Sequence, residues 1–405
     1  MNDKRKRIPE LDGLRVLMIL IVSWFHIWQQ SWLRPMIGTY SLDYLVRSGY
    51  IWVDGTVLLS SFLLFLPYAK AKQENLPLPD TRSFYYRRVR RILPGYYFIL
   101  LATLFIVAIP WKLYDTAQYL VKDVATHLTF TFPFFQDTYI STPLGAASWT
   151  LAIEVQAYAL FPLIARGAVK KPALTVSILC AVCFGFRAWC LWALTDYSMV
   201  VNQLIDFLDV YAAGILAAMA YVRLSARRSR REAGTEAKSP AQYAWEALAT
   251  AVFAVTLFGL VQLLKFQASS GNYVLVQRRQ MVYRPLYALC FTGLILSAPF
   301  ALAPLRRLLG NPVTKFLGEV SMNYYLIHQT VIVHFKRLHF PPSVSETPNT
   351  VGEQPWQNQY TLLSFGISLL LAILVTYAIE KPAARALDRI REKRKTGIIS
   401  SSSSV

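Results

Sequence analysis

Two ionisable side chains lie in the first apolar segment of the sequence. Arg15 and His26 are eleven residues apart, which on an α-helix is about 20° from three full turns. Both side chains would therefore lie on one face, about 16 Å apart along the axis. Such groups are costly inside a spanning helix and mark candidate sites. The pair predicts a fixed cation and a proton-accepting imidazole, although an arginine reaching the lipid headgroups and a packing histidine would also fit.

A cluster of arginines precedes the third apolar segment. In residues 83–94, a short run of aromatic residues is followed by four arginines within five positions: Arg87, Arg88, Arg90 and Arg91. Guanidinium groups bind phosphate oxygens through pairs of parallel hydrogen bonds. The cluster therefore predicts a phosphate-binding surface, and the alternative is an ordinary basic anchor at the membrane surface.

A carboxylate, Glu154, lies within the first two turns of another apolar segment, SWTLAIEVQAY. That segment is expected to start on the outer side, so Glu154 should lie at a depth comparable with that of His26. A carboxylate beside an imidazole fixes its tautomer and stabilises its protonated form. We therefore expect Glu154 to orient His26, the alternative being an ion pair with another helix. Asp54 is a weaker candidate that could pair with Arg15 or His26.

These residues must be positioned by helices in a bilayer, because the composition does not suit a soluble domain. The chain has 405 residues, of which 55% are hydrophobic and only 16% charged. Its basic residues, which give a net charge of +19, lie between apolar runs of about 20 residues, the length that spans a bilayer. Topology and anionic lipid thus account for the charge, and we expect no nucleic-acid partner.

Ten apolar segments are candidates for membrane spans. Their predicted bounds are residues 11–31, 49–69, 92–111, 148–166, 173–194, 202–222, 242–264, 282–303, 316–335 and 359–380. With the N-terminus inside, the cytoplasmic segments hold 30 basic residues and the outer ones 9, the bias typical of cytoplasmic loops. We predict an all-α polytopic protein of the plasma membrane, with about ten transmembrane helices and both termini cytoplasmic. The first segment lacks a cleavage site, so we expect it to be retained.

Several kinds of chemistry have no support in the sequence. No H-E-x-x-H, P-loop, G-x-G-x-x-G or G-x-S-x-G motif occurs, which leaves metalloprotease, nucleotide-binding and common serine-hydrolase functions without a signature. His328 and His334 are six residues apart and would face opposite sides of a helix. We therefore expect no metal. The aromatic-rich stretch 113–147 could be either a sugar-stacking surface or an interfacial belt.

Six stretches, in order, resemble the integral-membrane acyltransferase 3 family, which includes bacterial O-acetyltransferases of surface polysaccharides. LDGLRVLMILIVSWFH resembles its Arg-x10-His signature, YRRVRRILPGYY its Arg-x-x-Arg motif, and SWTLAIEVQAYALFP a segment with Glu154 at the first acidic position. VDGTVLLSSFLL, SMNYYLIHQ and IEKPAAR are similar to three further stretches. The matching positions are Arg15, His26, Asp54, Ser60, Arg88, Arg91, Glu154, Tyr325, His328, Glu380 and Pro382.

The resemblance implies a transmembrane acyltransferase domain over residues 8–385, and composition predicts a basic, Ser-rich, flexible cytoplasmic tail over 386–405. It also implies transfer of an acyl group, usually acetyl, from cytoplasmic acyl-CoA to a hydroxyl of an extracytoplasmic or lipid-linked glycan. Acetyl-CoA would be the donor, held by the arginine cluster. Arg15 would bind a phosphate or polarise the thioester carbonyl, His26 would be the general base, and Glu154 would orient it.

Departures from the family pattern limit what is carried over. Val155 replaces the family's second acidic residue, so a role that needs a carboxylate pair has no support. The hydrolase-like extracellular domain of some members is not found in this chain, so transfer would be completed here or through a separate extracytoplasmic partner. The main alternative is a secondary transporter that uses Arg15, His26 and Glu154 as a proton or solute relay. A third hypothesis is a non-catalytic membrane scaffold for an envelope-assembly complex.

Overall fold

The computed structural model describes residues 7–232 and 239–402, and within them the chain is almost wholly helical. The strands in these ranges are the short antiparallel pair Met36–Ile37 and Tyr40–Ser41. The long helices are α1 (Pro9–Ser31), α2 (Trp52–Gln73), α3 (Thr81–Ala102), α4 (Trp149–Lys170), α5 (Pro172–Ala193), α6 (Leu208–Glu232), α7 (Pro240–Ala268), α8 (Tyr273–Ser297), α9 (Pro312–Arg337), α10 (Trp356–Val375) and α11 (Lys381–Ser402).

Nine helical segments of the described chain are long and apolar enough to cross a membrane, which confirms an all-α polytopic membrane protein. Nine of the ten predicted spans fall in these segments, and the tenth, 316–335, falls in α9. This helix is as long as the others but more polar, since it carries buried groups such as Asn323 and His328. It packs against α1 and α10, so its polar side chains face protein.

The centre of the bundle is the close contact between α2 and α6. A Cβ atom on Gly214 of α6 would lie 2.7 Å from both the Leu58 carbonyl oxygen and the Ser61 Cβ of α2, so only glycine permits this approach. Ser61 donates a hydrogen bond to the Tyr211 carbonyl oxygen at 2.7 Å. In a membrane the lipid tails are as apolar as the side chains, so burial of apolar surface does not favour helix association, and small residues that let helices approach closely take its place.

A buried ionic network joins α2, α5, α8 and the start of α6. The Arg187 guanidinium lies 2.5 Å from Asp206 and 2.7 Å from Asp209. Arg284, which is fully buried, pairs with Asp206 and lies 3.3 Å from Asp54. Asp54 therefore pairs with Arg284, and neither Arg15 nor His26 is its ion-pair partner among the described residues. Removal of one member would leave a buried charge uncompensated.

The segment between α3 and α4 folds as a compact unit around Asp123. This carboxylate accepts hydrogen bonds from the Tyr114 hydroxyl at 2.8 Å and the Thr142 hydroxyl at 2.9 Å, and it lies 3.1 Å from the His127 ring. At the surface, hydrogen bonds from Lys122 hold the pKa of the Asp137 carboxyl below its usual range. Of the predicted aromatic surface, Phe130, Phe132 and Tyr139 are buried, whereas Phe134 and Phe135 are exposed.

The last helix, α11, lies against α3. Asp388 of α11 accepts a hydrogen bond from the Tyr86 hydroxyl at 3.0 Å and pairs with Arg90. The stretch predicted as a flexible tail, 386–405, is helical through Ser402, and its last three residues lie outside the described chain. So do residues 233–238 of the predicted cytoplasmic segment between α6 and α7.

Candidate active site

Three cavities follow one another through the bundle. The first, called the vestibule, has a volume of about 960 Å³. Its lining includes Arg7, at the start of the described chain, and Lys381, the first residue of α11. The central cavity, of about 130 Å³, shares Arg15, Leu63 and Arg91 with the vestibule. The far cavity, of about 360 Å³, contains His26 and shares Tyr325 with the central cavity. Because neighbouring cavities share lining residues, the three form a series, called the path, from the arginine cluster to the histidine.

The vestibule is lined by charged side chains of both signs. Basic groups slightly outnumber acidic ones: Arg7, Arg15, Lys70, Arg87, Arg91 and Lys381 against Asp12, Glu74, Asp80, Glu319 and Glu380. Several of the carboxylates are already engaged, since Glu319 pairs with Lys381 at 2.9 Å and Glu380 accepts from the Asn323 amide at 2.6 Å. The chamber is large, polar and basic, as a phosphate-bearing ligand requires.

Local helix geometry sorts the four arginines of the cluster. The Asp80 carboxylate accepts a hydrogen bond from the Ser83 backbone at 2.7 Å and begins α3, so the whole cluster is helical. Arg88 and Arg91, three residues apart and hence on one face, line the central cavity, and Arg87 lines the vestibule. Arg90 borders neither cavity and pairs with Asp388 of α11. The described structure therefore brings three of the four predicted phosphate ligands to the path.

The central cavity contains a surplus of positive charge. Arg15, Arg88 and Arg91 line it together with one carboxylate, that of Glu154. This carboxylate accepts a hydrogen bond from the Tyr158 hydroxyl at 2.7 Å, and the Arg88 guanidinium lies over the Tyr158 ring at 5.4 Å. Asp12, which lines the vestibule, lies 3.8 Å from Arg15 and offsets part of this charge, while the lining of the central cavity itself has more basic than acidic groups. The cavity is therefore suited to an anionic ligand that enters through the vestibule.

The far cavity surrounds His26 with amides and aromatic rings. The His26 Nδ1 atom lies 3.0 Å from the Gln29 side-chain oxygen. Because an amide oxygen only accepts, Nδ1 carries the proton in this contact and Nε2 keeps its lone pair, which is the form a general base needs. The remaining wall includes the rings of Trp28, Trp149 and Tyr273 and the amides of Asn202, Gln267, Gln277 and Gln280. Rings and a few convergent polar groups are typical of binding sites for small organic molecules.

The predicted catalytic residues do not form one cluster. Arg15 and Glu154 line the central cavity, whereas His26 lines the far cavity. The hydrogen-bond partner that the described structure gives to the His26 ring is Gln29, and that of Glu154 is Tyr158. The expected contact between Glu154 and His26 is thus not formed in this structure. Arg15 and His26 line two neighbouring cavities of the same series.

Sequence reasoning missed the uncharged members of the site. Gln29 lines the far cavity and was not considered, because only ionisable groups were sought in the apolar segments. Tyr325, which lines the same cavity, was named as a position that matches the family pattern but was given no role. The i, i+3 spacing of His26 and Gln29 on one helix was the available signal. His328 was considered as a metal candidate and as a position that matches the family pattern, and its ring centroid lies 5.2 Å from that of His26. Among the described residues, no three His, Cys, Asp or Glu side chains form a group that could hold a metal ion.

These features define a membrane-embedded protein with a basic entrance and a histidine on the same internal path. The model of a family described as an acyltransferase domain, the acyltransferase 3 family, matches residues 8–381. The chain therefore belongs to this acyltransferase family. The match covers every residue that lines the three cavities except Arg7 of the vestibule.

Two curated relatives carry more specific names. The chain is 30% identical over 166 residues to the putative peptidoglycan O-acetyltransferase YrhL of Bacillus subtilis, a match that covers 38% of this chain and 23% of the relative. It is 25% identical over 199 residues to the peptidoglycan O-acetyltransferase OatA of Listeria monocytogenes, covering 43% of this chain and 27% of the relative. The chain thus spans about a quarter of the length of each relative that it matches. No solved structure matches the chain.

Proposed function

We propose that the protein is a membrane O-acyltransferase that moves an acyl group, acetyl in the first instance, from acyl-CoA to a hydroxyl group of a glycan or glycolipid. The observation that carries this proposal is the path from the arginine-lined vestibule to the His26 cavity. Family membership supports the acyl chemistry. The names of the two relatives support acetyl as the group and a cell-envelope glycan as the acceptor.

In this proposal the donor enters from the cytoplasm. The phosphates of acetyl-CoA bind Arg87, Arg88 and Arg91, and Arg15 compensates negative charge at the neck between the vestibule and the central cavity. Glu154 lies beside Arg15, Arg88 and Arg91 in the central cavity, where its negative charge offsets part of their positive charge. Arg90, by its contact with Asp388, holds α11 on α3 and acts on the donor site only indirectly. Both termini are cytoplasmic, and the protein resides in the plasma membrane.

The acceptor enters the far cavity, on the extracytoplasmic side. His26 takes the proton from the acceptor hydroxyl through Nε2 while Gln29 holds Nδ1, the hydroxyl oxygen forms a bond to the acyl carbon, and the C–S bond then breaks. The proton then passes to the sulfur of CoA, so that the products are an ester and free CoA. A separate extracytoplasmic partner that accepts the acyl group first remains compatible with this scheme.

Labelled acetyl-CoA supplied to inverted membrane vesicles tests the proposal. Wild type should transfer the label to the glycan or glycolipid fraction, and His26→Ala at matched expression should not. His334→Ala is the matched control, because the His334 Nδ1–H donates a hydrogen bond within its own helix, to the Thr330 carbonyl oxygen at 2.7 Å, and the side chain borders none of the three cavities. Equal labelling by wild type and His26→Ala would refute His26 as the base. A wild-type protein that labels nothing with acyl-CoA but carries solute would establish the transporter alternative.

A further inference from the structure

Tyr325 of α9 occupies a special position on the path. Within the described chain it is the one residue that borders both the central cavity and the far cavity. Its ring lies 5.4 Å from that of His328, and the His328 ring lies 5.2 Å from that of His26, measured between centroids. An acyl group that travels from the arginines to His26 must therefore pass the Tyr325 side chain.

The reaction needs a hydrogen-bond donor near His26. Attack of a hydroxyl on a thioester moves negative charge onto the carbonyl oxygen, and acyltransfer sites stabilise that charge with fixed donors about 3 Å away. The carbonyl must lie beside the hydroxyl that His26 deprotonates. Arg15 is three helical turns from His26, about 16 Å along α1, so it cannot contact that carbonyl in the same step. The donor must therefore come from the wall of the far cavity, and the part of that wall which an acyl group from the central cavity meets first is the junction of the two cavities.

Tyr325 offers such a donor. Its hydroxyl is buried and forms no regular hydrogen bond within the described residues, with Thr150 as the hydroxyl that faces it. A buried phenol whose neighbouring hydroxyl is not placed for a normal hydrogen bond is costly, since tyrosine O–H groups in protein interiors are normally paired. A ligand that presents an acceptor oxygen at this junction would complete the pairing. The carbonyl of an acyl thioester is such a group.

We infer that the Tyr325 hydroxyl is the oxyanion donor of the transfer step. This inference rests on the proposed function. The acceptor oxygen forms its bond to the acyl carbon, the carbonyl electron pair moves to oxygen, and Tyr325 donates a hydrogen bond to that oxygen while keeping its proton. When the pair returns, the C–S bond breaks and the sulfur takes the proton held by His26. Tyr325 is then a catalytic residue, and Arg15 serves the donor phosphates.

The test compares two neighbouring phenols. Tyr325→Phe keeps the ring and removes the hydroxyl, and should lower kcat by about 10²- to 10³-fold with the KM for acetyl-CoA unchanged within about threefold. Tyr324→Phe is the matched control: its hydroxyl is paired with the Ser23 hydroxyl at 2.8 Å, and it faces a separate apolar groove between α1, α9 and α10. Its kcat should stay within about threefold of wild type. Thermal unfolding of both variants monitors folding.

The outcomes separate this inference from the proposed function. A Tyr325→Phe variant that keeps wild-type kcat overturns the oxyanion role, while wild-type transfer that depends on His26 leaves the proposed function intact. A large rise in the KM for acetyl-CoA with kcat preserved also overturns it, because the hydroxyl would then serve donor binding. If the wild type transfers no acyl group at all, the proposed function itself fails. Loss of kcat alone, with a folded protein, supports the inference.

Discussion

Arg91 and Arg90 are adjacent in the sequence but have opposite surroundings in the structure. Arg91 borders both the vestibule and the central cavity, whereas Arg90 pairs with Asp388. A hydrogen bond to a charged group is worth about 1.5–3 kcal/mol, and the lower value applies here because Arg91 is exposed to solvent in the cavities. Arg91→Ala should therefore raise the Kd for CoA about tenfold. Arg90→Ala removes only a half-exposed ion pair of about 0–1 kcal/mol and should change the Kd less than about twofold.

The assay is titration calorimetry of the purified protein with CoA itself, which binds without turnover. Both variants should unfold within a few degrees of wild type, because neither side chain is buried. Similar losses of CoA affinity in the two variants would contradict the claim that Arg91 faces the donor site and Arg90 does not. Wild-type affinity in Arg91→Ala would contradict the vestibule as the donor site.

Three further predictions concern the His26 environment and the bundle. The rate of transfer should decline as the pH falls and His26 becomes protonated, because a protonated imidazole cannot act as a base. Glu154→Gln should leave the shape of this pH–rate profile unchanged, because Glu154 lines a different cavity. A profile displaced along the pH axis in Glu154→Gln would contradict the separation of Glu154 from His26. Gly214→Ala should lower the midpoint of thermal unfolding, since its Cβ would lie 2.7 Å from the Leu58 carbonyl oxygen, whereas Gly185→Ala, with nothing within 4 Å, should not. Arg284→Ala should cost about 3–5 kcal/mol of unfolding free energy, measured by denaturant titration in detergent, because it leaves the buried Asp54 without its ion-pair partner and Asp206 with Arg187 alone; a loss below about 1 kcal/mol would contradict that view.

Apolar runs and helical periodicity predicted most of this fold. All ten predicted spans coincide with long helices of the described chain, and nine of these helices are apolar enough to cross a membrane. Arg15 and His26, which their spacing predicted to share a face, line two neighbouring cavities. The bounds of α3 were harder. Its first turns are polar, so hydropathy predicted a start at 92, whereas the Asp80 cap begins the helix at Thr81.

Contacts between helices could not be predicted in the same way. Periodicity gives the face of a residue within its helix but not the helix that this face meets. Glu154 was therefore assigned to His26 on depth alone, and the structure places it beside the arginines. For the same reason the partner of Asp54 was unknown until α8 brought Arg284 to it. The role proposed for Tyr325 depends on its position between two cavities. Several helices form these cavities, so the sequence of one segment cannot reveal that position.

The central claim is that the acyl group travels along the internal path from the vestibule to His26. Proteoliposomes of uniform orientation test it directly, with labelled acetyl-CoA confined to the side of the vestibule and peptidoglycan fragments or envelope glycolipids present only on the His26 side. Our account predicts ester label on the acceptor with wild type, and none with His26→Ala or when acetyl-CoA is supplied only on the acceptor side. Label that appears equally from either side, or that persists in His26→Ala, would contradict it.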